Sequence, residues 1–262
     1  MFMIGHRSSV ELDKMHQANA IVVDTLHSLK SCLEPGMTTA ELDRIASEAL
    51  TREGAKSAFK GYRGFPASLC VSVNEEVVHG IPSHTKRLAD GDIVSLDFGA
   101  IVDGYYGDNA LTAGVGETSE ELQKLLTVTE EAMFKGIEAM VPGNHISDIG
   151  YAVQSHAERN GYTVVRDFVG HGIGRALHED PPVPNFVQSG PDPKLATGMC
   201  LAVEPMVNTG ECHVKTLADQ WTVVTSDGGF SAHFERSVAI TDDGPWILAE
   251  SRPTYTEGVQ FA

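Results

Sequence analysis

The chain has 262 residues, 42% of them hydrophobic and 21% charged. That composition can fill one large domain or two small ones and excludes a mainly disordered protein. Thirty-six Asp and Glu against 19 Lys and Arg leave a net charge of −17, a field that repels phosphate backbones and argues against a dedicated DNA or RNA binder.

The N-terminal MFMIGHRSSV is broken by Gly5, His6 and Arg7 before a signal-peptide core develops, and no apolar stretch of about 18 residues follows. From Ser8 to about Leu33, Leu12, Met15, Val22, Leu26 and Leu29 recur every three or four positions. Ser8 with Glu11 has capping-box spacing, so a long amphipathic helix is predicted, ended by Pro35 and Gly36. Thr38 with Glu41 opens a second helix carrying Leu42, Ile45, Ala49 and Leu50, which stops at Gly54. The segment DGDIVSLD (90–97) reads as a buried strand, and Asp103-Gly104 as a hairpin turn. Thr118 with Glu121 opens a helix bearing Leu122, Leu125, Met133, Ile137 and Met140; Pro142-Gly143, a helix around Ile149 and Val153, and a stop at Gly161 follow. The four cysteines, Cys32, Cys70, Cys200 and Cys212, include no C-x-x-C pair, so a reduced, soluble, cytoplasmic protein is expected, with no membrane partner.

The second set of elements repeats the first. Pro35 and Pro142, Gly36 and Gly143, Glu41 and Asp148, and Gly54 and Gly161 are all separated by 107 residues. The offset continues from DGDIVSLD into TGMCLAVE (197–204), setting Gly91 on Gly198 and Asp97 on Glu204. The expectation is an α+β fold: one domain over 1–262, built from similar halves of roughly 1–110 and 111–262. Their equivalent strands would meet about a pseudo-twofold axis, with Asp97 and Glu204 facing one centre. No Pro-, Gly- or Ser-rich linker separates the halves, which points to a shared core.

Four carboxylates stand beside strand-like segments where a lone charge is costly to bury. Asp97 lies in IVSLDFG, Asp108 in GYYGDNALT, Glu204 in CLAVEP and Glu235 in AHFERSVAI. Each has an ordinary alternative: a strand-end cap for Asp97, a turn at Asp108-Asn109, an ion pair with Arg236 for Glu235. His171 in FVGHGIG is flanked by glycines that would let its ring meet something closely approached, or simply make a turn; His178 follows in LHEDPPVP and could be a surface histidine. As a set, four carboxylates and one histidine suit two octahedral-leaning dications such as Mn²⁺, Fe²⁺ or Co²⁺ better than tetrahedral zinc. A two-metal centre points to hydrolysis by a metal-bridging hydroxide.

The segments GYRGFPASLCVSVNEEVVHGIP (61–82), DIVSLDFGAIVDGYYGDNALT (92–112), VGHGIGRALHEDPPVPNF (169–186), MCLAVEPM (199–206) and HFERSVAITDDG (233–244) resemble the bacterial type I methionine aminopeptidases over nearly the whole chain. The resemblance implies a pita-bread fold with a central curved antiparallel sheet. It also implies removal of the initiator methionine from nascent polypeptides whose second residue is small. It places the metal ligands at Asp97, Asp108, His171, Glu204 and Glu235, with Asp108 and Glu235 bridging two divalent ions. Glu204 would move the proton of the attacking water, His178 would bond the scissile carbonyl, and His79, in VVHGIP, would contact the substrate amide and help protonate the leaving amine. Phe59, Tyr62, Phe65, Cys70 and Trp221 match positions lining the methionine pocket, although such aromatics also build ordinary cores.

Two departures bear on that pocket: Phe59 replaces a cysteine common in relatives, and Leu177 stands where phenylalanine is usual, so bulk is exchanged between its walls. Asn74 and Ser231 match a monovalent-cation site of some relatives. Proline-directed peptidases of the same fold share the five ligands but normally carry a sizeable extra N-terminal domain; here the catalytic-type sequence starts within about ten residues, so a proline-directed enzyme is not expected. Non-catalytic relatives that bind partner proteins have lost the ligands kept here. The family acts on nascent-chain N-termini near ribosomes, yet between Thr209 and Gly229 the basic residues are only His213 and Lys215, so any ribosome contact is expected to be transient. A monomer is expected.

Overall fold

Helix starts are decided by local hydrogen bonds at the cap residues. A computed structural model describes residues 4–253, and the single domain expected over 1–262 extends past them at both ends. Helix α1 (Ser9–Cys32) begins at Ser8, whose N–H donates to Glu11 Oε2 at 2.9 Å. Helix α2 (Thr39–Arg52) begins at Thr38, whose N–H donates to Glu41 Oε2 at 2.7 Å. Helix α4 (Ile146–Arg159) opens in the same way, His145 N–H donating to Asp148 Oδ2 at 2.7 Å, 107 positions after the Thr38–Glu41 pair.

Helix α3 (Glu120–Glu138) corrects the predicted cap. Its cap is Ser119, whose hydroxyl accepts from Leu122 N–H at 3.3 Å, rather than Thr118. Thr118 is turned away to cover Gly114, where an added Cβ would meet the threonine methyl at 2.5 Å.

In the first half the strands are β1 (Lys56–Ser57), β2 (Leu69–Val73), β3 (Glu76–Val78), β4 (Ile93–Val102) and β5 (Tyr105–Gly114). In the second they are β6 (Thr163–Val164), β7 (Gly170–Gly172), β8 (Glu179–Val183), β9 (Cys200–Val203) and β10 (Met206–Asn208). There follow β11 (Val214–Thr216), β12 (Val223–Thr225), β13 (Ser231–His233), β14 (Glu235–Thr241) and β15 (Gly244–Ile247). A nine-stranded sheet runs β1-β4-β5-β14-β9-β7-β8, with β2 added on β4 and β15 on β14; β13-β10-β6 and β11-β12-β3 form two three-stranded sheets.

The β4–β5 hairpin turns at Asp103 and Gly104, both with positive φ (50° and 79°), the backbone that a tight two-residue turn demands. The predicted 90–97 strand does not stop at its carboxylate. Strand β4 runs on to Val102, because β5 pairs with it along its whole length, so Asp97 is a mid-strand residue.

The repeat-related strands β4 and β9 flank the central pair β5–β14 on either side, so the pseudo-twofold relation passes between β5 and β14. One apolar core serves both halves, holding Val22, Leu26 and Leu29 of α1, Leu96 and Phe98 of β4, Met133 and Ile137 of α3, and Val203 of β9. Helix α1 lies directly on β5 because Gly107 has no side chain: a Cβ there would sit 2.6 Å from Asn19 N and 2.7 Å from the Ala18 carbonyl carbon.

Candidate metal centre

Strand register puts the four carboxylates on one face. Asp97 of β4 lies opposite Ala110 of β5, and Ala110 lies opposite Glu235 of β14. Asp108 is two residues from Ala110, hence on the same side. Arg236 lies opposite Val203, so the register extended by one residue sets Glu204 across from Glu235. All four line one cavity together with His171.

The close quarters show in the electrostatics. Burial pushes Asp97 up to about 7, an effect moderated by a hydrogen bond from the Cys70 thiol. Burial, and then the neighbouring carboxylates, hold Asp108, Glu204 and Glu235 well above the carboxylate range. Arg236 makes no side-chain ion pair with Glu235 among the described residues; its guanidinium donates to the backbone carbonyls of Ala110 (3.2 Å) and Glu235 (2.8 Å), and its charge only weakly offsets the rise at Glu235. Such a cluster requires protons or cations.

The donor atoms fit a metal. Asp97 Oδ1, Asp108 Oδ1 and Glu235 Oε1 are buried with no hydrogen-bond partner among the described residues. Asp108, His171 and Glu235 each offer a ligand atom within 4.8 Å of the others. His171 Nδ1 lies 2.9 Å from the Gly172 carbonyl, which can only accept, so the proton sits on Nδ1 and Nε2 is bare. That Nε2 is 3.4 Å from Glu204 Oε1 and 3.9 Å from Asp108 Oδ2, and burial holds the ring neutral, with its pKa near 3. The flanking glycines let β7 fit between its neighbours: a Cβ on Gly170 would lie 2.3 Å from Ala202 O, and one on Gly172 2.2 Å from Asp180 O. This oxygen-rich set with one imidazole matches a borderline-hard divalent ion.

His79 and His178 reach the same cavity. His79 has a positive φ of 62° and stands edge-on to Phe168 and Trp221, with centroids 5.5 and 6.2 Å away; burial lowers it to about 4. His178 lies 4.2 Å from His171 by ring centroids. Phe59, Tyr62, Phe65, Cys70 and Trp221 all line the cavity wall, with Phe65 and Trp221 edge-to-face at 5.1 Å. Phe59 and Leu177 are buried in one apolar cluster with Phe65 and Cys70, so the two exchanged positions build the same pocket. The Phe59 ring fits because residue 99 is glycine; a Cβ there would meet Phe59 Cε1 at 2.8 Å.

Asn74 and Ser231 lie outside this lining. Ser231 N–H donates to the Asn74 carbonyl at 3.0 Å, and the Asn74 amide is engaged by Asp92 and by Ile93 N–H.

Two cavity neighbours escaped the sequence reading. Buried His233 places Nε2 3.9 Å from Glu204 Oε2; its two-residue spacing from Glu235 was the available signal. Arg63 lines the mouth at φ 48°, and a residue set between loop glycines carries no periodic signal.

The metallopeptidase family M24 model matches residues 13–242. Methionine aminopeptidases from Clostridium perfringens and Clostridium acetobutylicum are 55% and 53% identical over 246 residues, covering 94% of this chain and 98% of each relative. The crystal structure of methionine aminopeptidase from Thermotoga maritima superposes with a TM-score of 0.92 at 43% identity, over 95% of this chain and 100% of that one. Prolidase from Pyrococcus furiosus shares the fold alone, with a TM-score of 0.75 at 21% identity over 94% of this chain and 66% of its own. The curved sheet and paired halves are the expected pita-bread fold, and the chain belongs to metallopeptidase family M24 and, within it, to the bacterial methionine aminopeptidases.

Proposed function

We propose that this chain is a metal-dependent aminopeptidase that removes the initiator methionine from nascent polypeptides whose second residue is small. The observation that carries this reading is the convergence of four carboxylates and His171 in one cavity beside an apolar pocket. Asp97, Asp108, His171, Glu204 and Glu235 would hold two divalent ions of the Co, Mn or Fe(II) kind, with Asp108 and Glu235 shared. Bound there, the ions would supply Lewis acidity and lower the pKa of water toward neutrality.

The side chains do the rest. The pocket of Phe59, Tyr62, Phe65, Cys70, Leu177 and Trp221 takes the methionine side chain, whose polarizable thioether suits such walls. Glu204, whose two oxygens meet different neighbours, would take a proton from the attacking water and move it toward the leaving group. His178 would donate to the scissile carbonyl oxygen, and His79, neutral with its pKa lowered to about 4, would contact the substrate amide and help pass to the leaving amine the proton that Glu204 takes from water.

The Ser231 hydroxyl, buried without a hydrogen-bond partner among the described residues on a residue whose N–H donates to the Asn74 carbonyl, supports a monovalent-cation site there. No helix among the described residues is long and apolar enough to cross a membrane, and we place the chain in the cytoplasm as a single-chain enzyme that meets nascent N-termini through transient ribosome contact.

The test is substrate choice. The Mn²⁺-loaded chain should release methionine from Met-Ala-Ser at least about a hundredfold faster than it cleaves an Ala-Pro peptide. Equal or faster cleavage before proline would overturn the assignment in favour of a proline-directed peptidase.

A further inference from the structure

Two histidines stand side by side in the cavity, and different partners hold their Nδ1 atoms. His171 Nδ1 faces the Gly172 carbonyl at 2.9 Å, an acceptor. His178 Nδ1 faces the Tyr62 hydroxyl at 2.9 Å, with the two rings nearly parallel, 22° between planes and 5.3 Å between centroids. A neutral imidazole carries one N–H, and the partner of one nitrogen decides the state of the other.

We propose that Tyr62 is a positioning residue, whose hydroxyl donates to His178 Nδ1 and so locks His178 in the Nε2–H tautomer, the opposite of its neighbour His171. The direction follows from the chemistry of the pair. A phenol is a good donor and a weak acceptor, because its lone pair is drawn into the ring, whereas a bare imidazole nitrogen is a strong acceptor. The O–H···Nδ1 arrangement therefore wins, and the His178 proton is left on Nε2.

The two rings, 4.2 Å apart, are thus sorted into opposite tasks. His171 presents a bare nitrogen, as a metal ligand requires; His178 presents an N–H, as a donor to a carbonyl oxygen requires. With the reverse tautomer, His178 would oppose a lone pair to the substrate oxygen and no bond would form. Burial and the nearby Arg63 cation both disfavour the imidazolium form of His178, which leaves the choice of tautomer as what decides its role. The functional consequence rests on the proposed role of His178 toward the substrate; the tautomer itself does not.

The test reads the tautomer directly. In the full chain with ¹⁵N-labelled histidine, both metal-free and loaded with diamagnetic Zn²⁺, long-range ¹H–¹⁵N spectra should show His178 with a protonated Nε2 and a bare Nδ1. The resonance is assigned by its loss in His178→Gln. Tyr62→Phe keeps the ring and the pocket wall while removing the donor. It should yield a mixture of tautomers and a fall in kcat on Met-Ala-Ser of about tenfold or more, with KM changed less than about twofold. A protonated Nδ1 in the wild-type chain, or an unchanged tautomer in Tyr62→Phe whatever its activity, would overturn the proposal. A shift of tautomer with neither protein releasing methionine would support the tautomer assignment and overturn the peptidase reading.

Discussion

Glu204 is the side chain on which the chemistry turns, because its two oxygens meet different neighbours: Oε1 is 3.4 Å from His171 Nε2, and Oε2 is 3.9 Å from His233 Nε2. One oxygen can serve a metal while the other handles a proton. Replacing it with glutamine keeps the shape and removes the proton carrier. Glu204→Gln should lower kcat on Met-Ala-Ser by about 10² to 10⁴-fold with an unchanged circular dichroism spectrum, and near-normal turnover would remove Glu204 from the chemistry. The carboxylates were legible at this scale as a set: each has an ordinary reading alone, but four of them beside apolar strand-like runs have a common one. His233 was not, because a histidine beside a strand reads as core until the distance to Glu204 is known.

At the scale of elements, the site depends on how closely α1 lies against β5. Asn19 of α1 is buried and accepts from the Asp108 N–H at 3.3 Å and the Asn109 side-chain amide at 2.7 Å, while donating to Met15 O at 2.8 Å. This fastening needs Gly107, whose missing side chain admits the helix backbone. Gly107→Ala should destabilise the fold by about 2–3 kcal/mol in denaturant unfolding, since backbone and not a flexible side chain occupies the space; a change within about 0.5 kcal/mol would contradict this packing. Most elements were readable locally. The capping pairs Ser8–Glu11 and Thr38–Glu41 start the helices they predicted, and Asp103-Gly104 makes its turn. Where the structure departs from the local pattern, a non-local contact decides. Thr118 covers Gly114 and leaves the cap to Ser119, and β5 draws β4 five residues beyond Asp97.

At the scale of the molecule, the 107-residue offset foretold equivalent strands, yet the pairing of β5 with β14 that sets Glu235 opposite Ala110 is a long-range register that no local pattern carries. That register gathers four acids whose folded-state pKa values lie above their unfolded values near 4. Such groups stabilise the fold while protonated, and the benefit is lost as pH rises toward the folded-state values. The buried histidines His79, His171 and His233, depressed to between about 3 and 4, act in the opposite sense, but only below their unfolded value near 6.5. Above that pH the acids set the slope, and the buried thiols of Cys70 and Cys200, also pushed up by burial, add to it in the same sense once the pH reaches the thiol range. The unfolding free energy of the metal-free chain should therefore fall as the pH rises above about 6.5, by about 1.4 kcal/mol per pH unit for each proton the fold retains over the unfolded chain, and saturating Mn²⁺ should abolish the fall by taking the protons' place. A flat or rising metal-free profile would contradict the clustered-acid picture.

The most direct test of the account strips the metal and measures free methionine released from Met-Ala-Ser. The chelated chain should release none, and addition of Mn²⁺ or Co²⁺ should restore release in proportion to the metal bound. Methionine release at an undiminished rate in excess chelator would contradict the account.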